Sequence, residues 1–244
     1  VQKILVTGCM TQRYKQDVLN ELPEVDGILG TGSYGDICAA IDEVMGASGL
    51  RPCHLGSIHT APQDGGRILS TPPWYAYLRI AEGCDNHCAY CVIPSLRGNY
   101  RSRRMEDILQ EAQALAEAGY QEIVLTGIEI SSWGQDLGDG LSLIDAVEAI
   151  CRALPGHIRV RLGSLEPRTI TPEFCRRAAA LTNLCPHFHL SMQSGCDTVL
   201  ARMNRKYNSA RYYESVKLLN EAYETPGITT DLIVGCLLYT SDAA

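Results

Sequence analysis

Ala81-Glu82-Gly83-Cys84-Asp85-Asn86-His87-Cys88-Ala89-Tyr90-Cys91 sets three cysteines in a C-x3-C-x2-C spacing. The stretch directly follows an apolar, strand-like run, Trp74–Ile80, and precedes a regular alternation of helix and strand. Met105–Ala118 reads as a helix stopped by Gly119. Glu122–Thr126 reads as a strand, and Ser142–Leu154 as a helix with Ser142 as its N-cap. His157–Leu162 is the next strand; Thr171, Pro172 and Glu173 then supply the cap, first-turn proline and first-turn acid of another helix. His187–Ser191 is a strand, Asp197–Met203 and Ser209–Tyr223 are helices, and Ile228–Val234 is a final strand. Five strands with helical crossovers predict an α/β fold, a parallel sheet or partial barrel. Chemistry in such barrels gathers where strands end, so the loops after Ile80, Thr126, Leu162, Ser191 and Val234 are the candidate site.

Upstream, residues 1–65 read as a separate small α/β unit. Lys3–Thr7 is a strand running into Gly8-Cys9, Tyr14–Leu22 a polar helix, Val25–Leu29 a second strand and Asp36–Met45 an amphipathic helix. Residues 66–73 are the linker, part of a Pro- and Gly-rich run that begins at 60. The expected division is 1–65, a linker 66–73, a core 74–235 and a tail 236–244. The chain opens directly on a strand, which reads as a fragment. Gly30-Thr31-Gly32-Ser33-Tyr34-Gly35 matches G-x-G-x-x-G, yet about 20 residues on stand Cys53, His54 and Leu55 rather than an acid for a ribose. A tight turn using glycine is the better reading.

The 244 residues are 45% hydrophobic and 20% charged with a formal charge of −7, which excludes collagen, coiled coil and disorder. No apolar run approaches the roughly 18 residues of a membrane span, so the expectation is a cytoplasmic protein with no membrane partner. Eleven cysteines are an odd number in a chain long enough to fold without staples. Three thiolates on one loop can hold three corners of a cubane iron–sulfur cluster, leaving one iron open. A structural zinc, which wants a fourth ligand, is the alternative; the loop adds only His87. Cys9, expected in a loop after the first strand, stands even between ligand and bystander by position. Cys38, Cys151, Cys175 and Cys196 fall on predicted helices as small buried hydrophobes, and Cys185 and Cys236 have no clear role. Cys53 with His54 is a weak metal signal, and of six histidines only His187 and His189 share a strand face.

Basic charge is concentrated. Residues 97–104 hold Arg97, Arg101, Arg103 and Arg104, and residues 202–211 hold Arg202, Arg205, Lys206 and Arg211, neither with an acid. These eight of the 21 basic residues could form a local phosphate-binding field, or simply a solvated face.

C-x3-C-x2-C with Tyr90 before its last cysteine, opening a βα barrel, resembles the radical S-adenosylmethionine (SAM) superfamily. Glu82-Gly83-Cys84, Cys88 through Pro94, Arg97-Gly98 and Arg101-Ser102-Arg103 resemble its methylthiotransferases, as do Thr7 through Gln12 and His189 through Gly195. Glu122 through Ile128, Leu162 through Pro167, and Val199 through Tyr207 are most similar to the MtaB type, which methylthiolates C2 of threonylcarbamoyladenosine at tRNA position 37. The resemblance implies a truncated N-terminal domain followed by a partial (β/α)6-type radical SAM barrel. It implies that Cys84, Cys88 and Cys91 hold a SAM-binding 4Fe–4S cluster, and that Cys9 is one ligand of a second, auxiliary 4Fe–4S cluster whose other two cysteines belong upstream. SAM would meet Tyr90 and Ile93 at its adenine, Thr126, Gly127 and Glu129 at its amino group, and Ser164, Glu166 and Gln193 at its ribose or methionine part. Arg97, Arg101, Arg103, Arg104, Arg202, Arg205 and Lys206 would face the tRNA anticodon loop, with an electron donor such as a flavodoxin as second partner. After Gly235 the sequence leaves the family pattern, so the last barrel strand and the RNA-binding β-barrel that follows it in the family are expected to be missing and Cys236 not a ligand. Sister enzymes acting on isopentenyladenosine in tRNA or on a ribosomal-protein aspartate are the near alternatives; a zinc-bound RNA-binding module and a disulfide redox protein are the distant ones.

Overall fold

The computed structural model describes residues 2–46, 49, 51–59, 68–70 and 72–235; the tail 236–244 with Cys236, and residues 66, 67 and 71 of the expected linker, lie outside them. Two compact units result, Val1–Arg67 with Val92–Asn99, and Ile68–Cys91 with Tyr100–Ala244. The segment Val92–Asn99, expected within the core domain, therefore belongs with the N-terminal unit.

In the first unit β1 (Leu5–Thr7), β2 (Gly27–Leu29) and β3 (Cys53–His54) form a parallel sheet in that order. Val18, Leu19, Val25 and Ile28 are its core. The polar stretch expected as one helix is two, α1 (Cys9–Tyr14) and α2 (Gln16–Glu21), because Lys15 between them takes a left-handed φ of 49°. Cys9 thus heads a helix rather than lying in a loop. The helix α3 (Ile37–Met45) follows a 3-10 turn at Tyr34–Asp36. The glycine-rich stretch before it is a close-packed turn: a Cβ on Gly32 would lie 2.4 Å from the Ser57 carbonyl oxygen. Cys53 and His54 make a sheet edge, where His54 Nε2 meets Glu43 at 3.1 Å. The helix α4 (Ile93–Arg97) joins this unit, with the Thr31 hydroxyl donating to the Leu96 carbonyl at 2.5 Å.

The second unit holds β4 (Tyr75–Arg79), β5 (Ala81–Glu82), β6 (Arg101–Ser102), α5 (Met105–Glu117), β7 (Glu122–Thr126), α6 (Leu143–Ala153), β8 (Arg159–Leu162) and β9 (Ser164–Leu165). Then come α7 (Pro172–Ala179), β10 (His187–Leu190), α8 (Asp197–Arg202), α9 (Ser209–Ala222) and β11 (Gly227–Thr229). Parallel sheets β4-β7-β8 and β9-β10-β11 are joined where Val160 donates to Asn183 O and accepts from the Cys185 N–H, both at 2.8 Å. The result is one parallel wall. Gly163, between β8 and β9, lets it bend, since a Cβ there would lie 2.9 Å from Leu125 O. Among the described residues no pairing joins β4 to β11, so the barrel is open.

Strand periodicity sorts the side chains. Ala76 and Leu78 on β4, Val160 and Leu162 on β8, and Phe188 and Leu190 on β10 are buried. They form one core with Ile108, Val147, Ile150 and Phe174 of the helices. Fully burying a side chain the size of Phe188 contributes roughly 2–3 kcal/mol. The alternate positions carry Tyr75, Tyr77, Arg79, Glu122, Arg159, Arg161, His187 and His189 with the buried Val124, so the wall's other face is mostly polar. The last strand is shorter than expected: after Thr229 the one backbone bridge among the described residues is that of Leu232 to Gln193.

Candidate iron–sulfur site

The three-cysteine loop leaves the wall just past β5. Gly83 turns the chain at φ 72°, and His87 takes φ 48°, unusual for a side chain with a Cβ. Its one internal backbone bond runs from the Cys91 N–H to the Cys88 carbonyl at 2.9 Å. The rest of its support comes from outside. The Ala89 N–H donates to Met203 O at 3.0 Å, and Asn204 Nδ2 donates to His87 O at 2.8 Å. The Tyr100 N–H donates to the Asp85 carboxylate at 3.0 Å.

Two of the sulfurs receive donors: Asn86 N–H reaches Cys84 Sγ at 3.5 Å, and Arg205 Nη1 reaches Cys88 Sγ at 3.1 Å. Burial pushes the Cys84 thiol up to about 11; the Asn86 amide opposes this, and the negative charges of Glu129, Cys88 and Cys91 add to it. Burial therefore disfavours the Cys84 thiolate unless a cation shares the site. Beside them the Tyr100 hydroxyl is buried with no well-directed partner among the described residues, its neighbour Ser102 donating to Asp136 at 2.5 Å. Burial, with Glu129, Asp136 and Cys84 nearby, keeps that phenol protonated. Tyr90 is likewise raised to about 12 by burial, against the pull of Arg205. Among the described residues no three Cys, His, Asp or Glu side chains converge on one ion. A cube's three corners need no common point, each thiolate binding its own iron. Soft donors, an orphaned donor and mutual repulsion all fit a 4Fe–4S cluster.

Other expected site residues are placed around strand ends. Thr126 ends β7 and Gly127 follows it, with a Cβ there only 2.9 Å from Ala81 O. Glu129 is oriented by the Ser131 and Ser132 N–H groups, at 2.5 and 3.1 Å. Ser164 is exposed at the start of β9, and Gln193 sits at φ 64° bonded to the Asp231 and Ile233 backbone. Ile93 opens α4 in the first unit. Cys9 lies in that unit too, its Sγ accepting from Arg97 Nε at 3.2 Å.

Several expectations need correction. Glu166 is buried and holds two guanidiniums, Arg168 at 2.7 Å and Arg205 at 3.4 Å. Arg205, expected at phosphates, has a side chain only 7% exposed, stacked 4.9 Å from the Tyr207 ring centre. Arg103 is 4% exposed, donating to Arg79 O at 2.6 Å and to Glu111 at 2.7 Å. Arg101 lies in β6 opposite Glu82, and Arg97 faces Cys9. Arg104, Arg202 and Lys206 are exposed as expected. Arg103 and Arg205 are held by partners distant in sequence, which a count of charges misses. Cys38 and Cys196, expected buried, are exposed, whereas Cys151, Cys175 and Cys185 are buried. Arg168 escapes the sequence reading because a lone arginine carries no spacing signal. No described helix is long and apolar enough to cross a membrane.

Fold and site define a class: a partial parallel barrel that presents a three-cysteine loop past its first strand. The radical SAM superfamily model matches residues 78–241. The ribosomal protein uS12 methylthiotransferase RimO of Lachnoclostridium phytofermentans is 35% identical over 236 residues, 95% of this chain and 52% of that one. Its counterpart in Pelotomaculum thermopropionicum is 38% identical over 235 residues, with the same two coverages, 95% and 52%. The chain belongs to the radical SAM superfamily. It spans about half the length of the curated relatives it matches. Among solved structures, the cobalamin-dependent radical SAM enzyme OxsB matches with TM-score 0.65 at 14% identity, covering 94% of this chain and 36% of that one. The methyltransferase TsrM of Kitasatospora setae matches with TM-score 0.65 at 16% identity, covering 94% and 49%. At these identities both speak to fold alone.

Proposed function

We propose that the protein is a radical SAM methylthiotransferase acting on ribosomal protein uS12, at an aspartate side chain. The substrate rests on one observation, that relatives 35 and 38% identical across nearly the whole chain carry that activity in their names. It replaces the tRNA substrate expected from the sequence.

In this reading Cys84, Cys88 and Cys91 hold the 4Fe–4S cluster, with Cys9 contributing to a second. Bound there with SAM, the cluster supplies one-electron chemistry that activates a C–H bond no side-chain acid or base could open. The chain's own residues position and shield. Glu129, fixed by two backbone N–H groups, offers a carboxylate to an ammonium group. Thr126, Gly127, Ser164 and Gln193 line strand ends where the rest of a SAM molecule would lie, Tyr90 its adenine. Glu166 acts at one remove, holding Arg205 against Cys88.

A second reading, C2 of threonylcarbamoyladenosine in tRNA, is favoured by Glu122 through Ile128, Leu162 through Pro167 and Val199 through Tyr207. Only Arg104, Arg202 and Lys206 among the expected basic residues are exposed for anticodon-loop phosphates. Mass spectrometry of uS12 peptides and of tRNA nucleosides from a deletion strain separates the two. Loss of the methylthio group from uS12 with tRNA intact is expected. Loss from tRNA alone establishes the second reading, and both intact overturns both.

A further inference from the structure

The cysteine loop has almost no hydrogen bonds of its own, and the turn after α8 supplies what it lacks. Met203 O takes the Ala89 N–H at 3.0 Å, and Asn204 Nδ2 donates to His87 O at 2.8 Å. His87 stands at φ 48° and Asn204 at φ 57°, so two non-glycine residues in the left-handed region face one another. Such a conformation costs about 1 kcal/mol or more and persists only where neighbours hold it. Asparagine is among the few side chains that tolerate it, and its amide supplies the donor that a carbonyl turned outward at His87 requires. The turn itself is anchored: Met203 is 1% exposed, and Arg205 N–H donates to Leu200 O at 2.9 Å.

We propose that Asn204 is a positioning residue, a latch that holds the His87 carbonyl and so keeps Cys84, Cys88 and Cys91 in ligand-bearing arrangement before any metal arrives. It touches neither sulfur nor substrate and acts through the loop backbone. The proposal rests on the loop's reading as a cluster site but not on the choice between protein and RNA substrates.

The test uses two variants of the full chain. Asn204→Gly keeps the left-handed backbone available and removes the amide, including the oxygen that accepts from Lys206 Nζ at 3.0 Å, where Asn204→Asp retains an acceptor. Asn204→Asp keeps shape and left-handed tolerance but sets an acceptor against an acceptor. Hydrogen exchange on the apo chain reads the latch directly. Loop amides, Ala89 above all, should exchange roughly five- to tenfold faster in both variants, as expected for one lost hydrogen bond. Anaerobic iron and sulfide counting, in a Cys9→Ala background so that only this loop is read, should then show slower loading and faster iron loss to a chelator. Exchange and iron retention equal to the parent in Asn204→Gly overturn the latch, and so does faster exchange with unchanged retention. A parent chain that takes up no iron overturns the cluster reading instead, while the apo exchange still decides whether Asn204 holds the loop.

Discussion

Arg205 shows how one side chain changes meaning between sequence and structure. In the sequence it is one of four bases within ten residues; in the fold it is enclosed by Glu166, Tyr207 and Cys88. Removing it leaves Glu166, itself only 9% exposed, with the half-exposed Arg168 as its one ion-pair partner among the described residues. Breaking a buried pair from one side costs roughly 3 kcal/mol or more. Arg205→Met should therefore lower apo-chain stability by about that amount in urea titration. Arg202→Ala, one turn away and exposed, should stay within about 0.5 kcal/mol of the parent. Equal, small effects would return Arg205 to the surface role its charge suggests. The three cysteines, by contrast, were legible at once, because their chemistry depends on spacing within one loop. Arg205 depends on Glu166, 39 positions away, and Cys88, 117 positions away, which no local pattern carries.

Elements were most readable where local chemistry and packing agree. Ser142 and Thr171 cap α6 and α7 where the sequence placed them, and β7 has the expected bounds. The misses, β3, β5, β6 and β9, are two-residue strands that exist only through their partners, too short for any periodicity. The α6–α7 pair offers the cleanest electrostatic test. Arg177 of α7 donates to Asp145 at 2.7 Å and to Glu148 at 2.8 Å on α6. At Asp145 burial pushes the carboxyl up, but hydrogen bonds from Arg177 and Ser142 together outweigh it and the pKa falls. At Glu148 the Arg177 hydrogen bond dominates, and the pKa falls too. A carboxyl whose folded pKa is depressed adds stability above its unfolded value and loses it as pH drops through the folded one. Arg177→Gln should thus cost roughly 1–2 kcal/mol at pH 7, the partial exposure limiting it. That cost should shrink below about pH 4, as both acids protonate in either state. Ser142→Ala should cost about 1 kcal/mol through the lost capping box, measured in the same titrations. A pH-independent Arg177→Gln cost would mean the pairing is packing rather than charge.

At the scale of the whole molecule, the division into two units was visible as a Pro- and Gly-rich interval, but its bookkeeping was not. Val92–Asn99 returns to the first unit although it follows the cluster loop directly, a long-range association that only tertiary packing decides. The two hydrophobic cores share no residue: one runs through α5, α6, α7 and β4 to β10, and the other is Val18, Leu19, Val25 and Ile28. Separate cores predict separate cooperativity, so unfolding should not be two-state. Ile28 and Phe188 are both fully buried, one in each core. Ile28→Ala should cost roughly 2–4 kcal/mol and Phe188→Ala roughly 3–5 kcal/mol, each from its own unit. Native-state hydrogen exchange can tell them apart. Under Ile28→Ala the amides of β1 and β2 should lose protection while Ile123 and Leu125 of β7 keep theirs; under Phe188→Ala the order should reverse. Among the described residues the small core has four buried members, so its amides should open first in the parent as well. Uniform loss of protection across both units from either substitution would show one cooperative body, and the pairing of cores to units would then have to be redrawn.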